Sequence, residues 1–143
     1  MKLFGASIAL LAAILISVPA SPAAASSNLT GGVSIVESSI DVQSGNPTVT
    51  LRVTCLVDVA VARIHVLLTQ TIASSTHSSL EVFTRLSWCT AGEVVTFNVR
   101  FGTGFLPGRA QITGFIGTAS NFTDALQNDD VGPATLLLHP VHP

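Results

Sequence analysis

From Pro47 onward, apolar and polar residues alternate. Val49, Leu51, Val53, Cys55 and Val57 fall on one parity, and Thr48, Thr50, Arg52, Thr54 and Asp58 on the other, with Leu56 the exception. A period of two belongs to a strand with one dry and one wet face. Pro47 stands just ahead of it, where a missing N–H costs no ladder bond. After a break near Asp58-Val59, Ala62, Ile64, Val66 and Leu68 alternate with Arg63, His65 and Thr69. Both faces turn apolar around Val66-Leu67-Leu68, as in a central strand. Ser74 to Ser79 reads as a polar loop. Leu80, Val82, Leu86 and Trp88 then share parity opposite Glu81, Phe83 and Arg85, and Ala91-Gly92 makes a turn.

Val95, Phe97, Val99 and Phe101 give the cleanest apolar face in the chain, opposite Thr96, Asn98 and Arg100. Gly102-Thr103-Gly104 ends that strand, and Pro107-Gly108 is a turn pair. Ala110, Ile112, Gly114 and Ile116 alternate with Arg109, Gln111 and Thr113. Ala119 to Asp130 is polar and reads as a long loop with one helical turn after Asn121. Ala134–Leu138 is a last strand, and Val33–Val42 a first one. Seven short strands separated by turn signals predict a β-sandwich or barrel. Leu56, Leu67 and the phenylalanines need a second layer to cover them. The expected fold is therefore all-β: an immunoglobulin-like antiparallel β-sandwich of about seven strands with one disulfide.

The N-terminus is unlike the rest. Lys2 supplies a positive start, Ile8 to Ile16 an unbroken apolar run, Pro19 a helix break, and Ala23-Ala24-Ala25 small residues for a cut before Ser26. Val18-Pro19-Ala20 offers an earlier cut, after Ala20. The run is shorter than the ~20 residues of a spanning helix. Residues 1–25 are thus expected to be a signal peptide, and 26–143 one secreted domain with no membrane span. That domain keeps five arginines and eight carboxylates, for a net charge of −3, and has neither Lys nor Tyr. Nucleic acid is a poor partner for such a surface. The arginine-only, Ala- and Val-rich usage fits a GC-rich bacterium.

Export decides how the two cysteines are read. Cys55 and Cys89 are the only pair, and an oxidising compartment makes a disulfide the default. Their spacing is shorter than in antibody domains, Trp88 adjoins the second cysteine instead of lying between the two, and there is no Tyr. The expectation is sandwich architecture without an immunoglobulin sequence.

One pattern carries a resemblance. Val53-Thr54-Cys55, Val66 to Gln70, Trp88 to Gly92, Val95 to Val99 and Phe105 to Ile112 follow the order strand-Cys, strand-Gln, Cys-turn, strand, and Pro-Gly-x-Ala strand. Over Thr48 to Ala119 this resembles small secreted actinobacterial Ig-like β-sandwich proteins of uncharacterised function. The resemblance implies export and a sandwich, and carries no functional residues.

Candidate chemistry is sparse. There is no Gly-x-Ser-x-Gly elbow. His65 reads as a surface residue within a strand. His77 and Ser79 share a hydroxyl-rich loop, where such a pair arises by composition alone. His139 and His142 lie in a proline-stiffened tail with too few ligands for a metal. Asn128-Asp129-Asp130 lacks the spacing of a calcium loop and reads as a turn. The acids are scattered, without the facing pair that glycoside hydrolysis needs. Asn28-Leu29-Thr30 and Asn121-Phe122-Thr123 match the glycosylation triplet, which has no meaning in a bacterium; Asn46-Pro47-Thr48 is blocked by proline. No catalytic residue, metal or cofactor is expected.

Phe105 and Leu106, in the glycine-flanked loop Gly102 to Gly108, are the candidate interaction residues. They are either a core plug or an exposed apolar tip. The expectation is a non-enzymatic secreted, extracellular or cell-wall-associated module that binds an unknown protein or surface ligand. The alternatives are a protease inhibitor working through Thr103 to Gly108 and a small-ligand carrier.

Overall fold

The computed structural model describes residues 29–119 and 127–142. The proposed signal peptide and the helical turn after Asn121 lie outside them. Seven strands follow in order: β1 (Thr30–Asp41), β2 (Asn46–Cys55), β3 (Val59–Ile72), β4 (Ser75–Cys89), β5 (Val94–Arg100), β6 (Gly108–Ala119) and β7 (Gln127–Val141). They are hydrogen-bonded in the order β4-β3-β6-β7-β1-β2-β5. One layer is β4-β3-β6-β7 and the other β1-β2-β5, giving an all-β sandwich joined at the β1–β7 seam. Among the described residues no helix is long and apolar enough to cross a membrane.

Parity builds the core. Pro47, Val49, Leu51, Val53 and Cys55 of β2 are buried while Thr48, Thr50, Arg52 and Thr54 face out. Ile64, Val66 and Leu68 of β3, Phe97 and Val99 of β5, and Ala110, Ile112 and Ile116 of β6 meet them from the other strands. Each connection reverses the chain, so odd strands run one way and even strands the other. That makes neighbouring pairs antiparallel except at the seam, where β1 and β7 are both odd. Ser39, Ile40 and Asp41 there pair in parallel with His139, Pro140 and Val141. The sheet is therefore mixed, which corrects the wholly antiparallel expectation.

Three other expectations are corrected. Ser75 to Ser79 belong to β4: Ile72 pairs with Ser75 and Thr71 with Thr76 across a tight turn at Ala73-Ser74. Their hydroxyls find partners across the hairpin, Thr69 with Ser78 at 3.2 Å and Thr71 with Thr76 at 3.1 Å. The last strand begins at Gln127, well before Ala134, and Asp129 pairs with Ile116 of β6. Leu56 and Val57 are exposed, because β2 ends at Cys55 and the chain turns there.

The sandwich is closed at both ends. Cys55 and Cys89 form the expected disulfide, with sulfurs 2.02 Å apart, tying the end of β2 to the end of β4. Nearby, Gly92 N–H donates to the Cys55 carbonyl and Cys55 N–H to the Glu93 carbonyl. The opposite end is closed by the β5–β6 loop.

Candidate functional site

The β5–β6 loop is held from β3 and β4. Gln70 is the last inward residue of β3 and is buried. Its Oε1 accepts the Leu106 N–H at 2.9 Å, and its Nε2 donates to the carbonyls of Leu106 (2.8 Å) and Arg109 (3.2 Å). His77 Nε2–H donates to the Thr103 carbonyl at 2.7 Å, and its ring meets Phe105 edge to face, centroids 4.6 Å apart. Ser79 Oγ accepts the Gly102 N–H at 2.9 Å. Gly104, at φ +101°, lets the backbone pass His77, where a Cβ would come within 2.7 Å of Nε2.

This geometry separates the two candidate interaction residues. Phe105 is 2% exposed and plugs the mouth between the sheets, the core-plug alternative of the two the sequence leaves for it. The loop's backbone is tied on both sides of it, so the ring has only the core to enter. Leu106, the next residue, is 55% exposed. His77 and Ser79 brace this loop: the ring nitrogen is bonded to Thr103, and the hydroxyl is shared between Gly102 and Glu81 Oε1, the latter at 3.4 Å.

The remaining titratable candidates are dispersed. Asp129 is buried and accepts the Thr30 hydroxyl, so the turn expected at Asn128 to Asp130 is a strand with a satisfied polar pair. Asp41 accepts the N–H groups of Gln43 (2.9 Å) and Ser44 (3.5 Å). The Gln43 N–H first, then the Ser44 side chain, and after them the Ser44 N–H hold its carboxyl below the usual aspartate value. His139 and His142 are exposed. Among the described residues no three His, Cys, Asp or Glu side chains lie together as a metal would need.

The outer face of β4-β3-β6-β7 is where the sequence reading missed most. Register arranges it in cross-strand rows. Val82, His65, Phe115 and Asp130 form one, Leu80, Leu67 and Thr113 the next, and Ser78, Thr69, Gln111 and Thr135 the third. Leu80 and Val82, which share parity in the sequence, are 52% and 54% exposed. His65 is not a free surface residue: it is half-buried and stacks flat on Phe115, with centroids 5.0 Å apart and planes 5° from parallel. Beside these rows lies a shallow cavity of about 280 Å³ lined by Thr69, Thr71, Arg109, Ala110, Gln111 and Thr135. A second, of about 140 Å³, shares Gln111 and Thr135 and adds Pro133 and Ala134. The available signal was the alternate threonines Thr69 and Thr71 of β3, with Gln111 of β6 and Thr135 of β7, which period alone does not assign to a ligand.

No protein-family model matches the chain, and no curated protein matches it. Among solved structures, the X-ray structure of a Northeast Structural Genomics Consortium target, SoR45, aligns with 73% of this chain and 81% of its own, at 12% identity and a TM-score of 0.45.

Proposed function

We propose that this is a secreted or cell-surface, non-enzymatic β-sandwich that acts by binding, and that it binds through the outer face of β4-β3-β6-β7. The observation that carries the reading is the contiguous patch of Leu80, Val82, Leu67, His65 and Phe115 on three adjacent strands. A face built of half-exposed apolar groups on a rigid sheet is pre-organised for a partner. Export is supported by the charged, apolar and small-residue order of residues 1–25 and by the Cys55–Cys89 bridge. The immunoglobulin-like assignment is supported by the strand grouping, with β1, β2 and β5 in one layer and β4, β3, β6 and β7 in the other. The bridge departs from that family's pattern in joining β2 to β4.

The test is retention of a ligand from the producing culture on immobilised mature protein, with Leu80→Asp/Val82→Asp as the matched control. The reading predicts a ligand held by the wild type and not by the variant; equal retention by both refutes it. A hydrolytic activity abolished by one Ser or His substitution would also sink it. The inhibitor alternative rests on Leu106, exposed on a braced loop. A screen against secreted serine proteases addresses it, and no inhibition across the panel removes it.

A further inference from the structure

We infer that the polar half of this face is a binding site for a neutral glycan, a ligand assignment that rests on the binding reading above. The row Ser78–Thr69–Gln111–Thr135 crosses four strands. At ~4.8 Å per strand it spans roughly 14 Å, room for an extended oligosaccharide. The two shallow cavities lie on either side of the Gln111–Thr135 pair and share it. They form neighbouring depressions along one track, as a ligand of repeating units requires.

Hydrogen-bonding chemistry selects the ligand. The Thr135 hydroxyl and the Gln111 amide can each donate and accept, and the pairs Thr69–Ser78 and Thr71–Thr76 each keep one hydroxyl hydrogen and acceptor lone pairs beyond their own bond. An anion would ask for donors and positive charge, and a cationic peptide for carboxylates. The residues lining the two cavities include one charged side chain, Arg109, and no acid. A mixed donor–acceptor surface with a single charge, set at its margin by Arg109, matches a ligand that is itself dense in hydroxyls and uncharged.

The neighbouring rows match the other property of a sugar. Pyranose rings have an apolar C–H face, and the flat His65–Phe115 stack with Leu67, Leu80 and Val82 offers an apolar platform beside the polar track. Thr69 and His65 are four residues apart on β3, or about 13 Å, so one chain can lie over both regions.

The test is native affinity electrophoresis of the oxidised mature protein through gels containing soluble neutral polysaccharides: a β-glucan, an α-glucan, a mannan and a xylan. Heparin and polygalacturonate form the anionic arm. Retardation by at least one neutral polymer is expected, with binding weakened at least tenfold in Gln111→Ala/Thr135→Ala and in Thr69→Val. Thermal unfolding of each variant within a few degrees of wild type shows that the fold is intact. If Gln111→Ala/Thr135→Ala unfolds, Thr69→Val decides. No retardation by any neutral polymer, retardation only by the anionic ones, or retardation unchanged in the folded variants would overturn the glycan assignment. If it is overturned while Leu80→Asp/Val82→Asp still loses its culture-derived ligand, the binding reading stands with a different ligand.

Discussion

Replacing Gln70 by Met should detach the β5–β6 loop while leaving the volume of the core almost unchanged. The native side chain makes three hydrogen bonds, one accepted from Leu106 N–H and two donated to the carbonyls of Leu106 and Arg109. At ~1 kcal/mol net each, their loss amounts to about 3 kcal/mol. That is a large share of the ~5–15 kcal/mol that holds a domain together. At about 4 °C per kcal/mol for a domain of this size, the melting temperature should fall by roughly 10 °C. Urea unfolding of the oxidised protein, followed by far-ultraviolet circular dichroism, measures the free-energy loss, and a thermal scan the shift in melting temperature. Gln70→Glu sharpens the test: its ionised carboxylate would face the two carbonyls Nε2 now serves. It should therefore be less stable than Gln70→Met at neutral pH and recover as acid restores a donor. If Phe105 is seated by this clamp, Gln70→Met and Phe105→Ala should lose less together than the sum of their separate losses. A Gln70→Met protein within ~1 kcal/mol of wild type would refute the clamp.

Other perturbations read the frame. Cys55→Ser/Cys89→Ser opens a loop of 34 residues, and the chain-entropy account puts the loss at about 4 kcal/mol, read from urea midpoints. Gly114→Ala places a methyl group against the His65 carbonyl and Val66 Cα at the centre of the β3–β6 ladder, from a φ of +155°. Because both obstacles are backbone, about 3 kcal/mol or more should be lost, and a folded variant of wild-type stability would contradict the close approach. Asp41→Asn keeps an acceptor for Gln43 N–H but removes the charge. The Asp41 carboxyl titrates lower when folded than the ordinary 3.8, so its stabilisation is present above that value and lost as pH falls through the folded value. The stability gap between wild type and Asp41→Asn should therefore be seen at pH 6 and close below about pH 3.8, as measured by thermal melts across pH.

Strands whose two faces differ sharply were legible from sequence. β2 and β5 present aliphatic or aromatic residues at every second position against Thr, Arg and Asn, and burial follows that alternation. β4 was not legible, for two reasons. Period reveals that Leu80 and Val82 share a face but not which face is dry; in the edge strand β4 that face is the exposed one. Hydroxyls also suggest a loop only while they lack partners, and the pairs Thr69–Ser78 and Thr71–Thr76 exist only once the hairpin is closed. Asp129 follows the same logic: its acceptor is met by Thr30, 99 residues away. Phe105 and Leu106 are adjacent in the chain, yet their opposite fates are set by Gln70, 36 residues before Leu106.

The same alternation that hid the outer face also frees it to specialise. In β6, Ala110 and Ile112 point into the core while Gln111 and Thr113 point out. In β7, Leu136 and Leu138 are buried and Thr135 and Leu137 exposed. Stability is concentrated in one parity, where each methylene removed costs about a kilocalorie. The other parity does not contribute to that packing. The disulfide at one end and the Phe105 plug at the other close the ends of that core, and the outer side chains add only exposed pairs such as Thr69–Ser78 and Thr71–Thr76. A surface with so small a share of the packing can change its hydroxyls, amides and rings at modest cost to folding. Such a frame suits a binding face, and its ligand has to be read from the outer residues themselves.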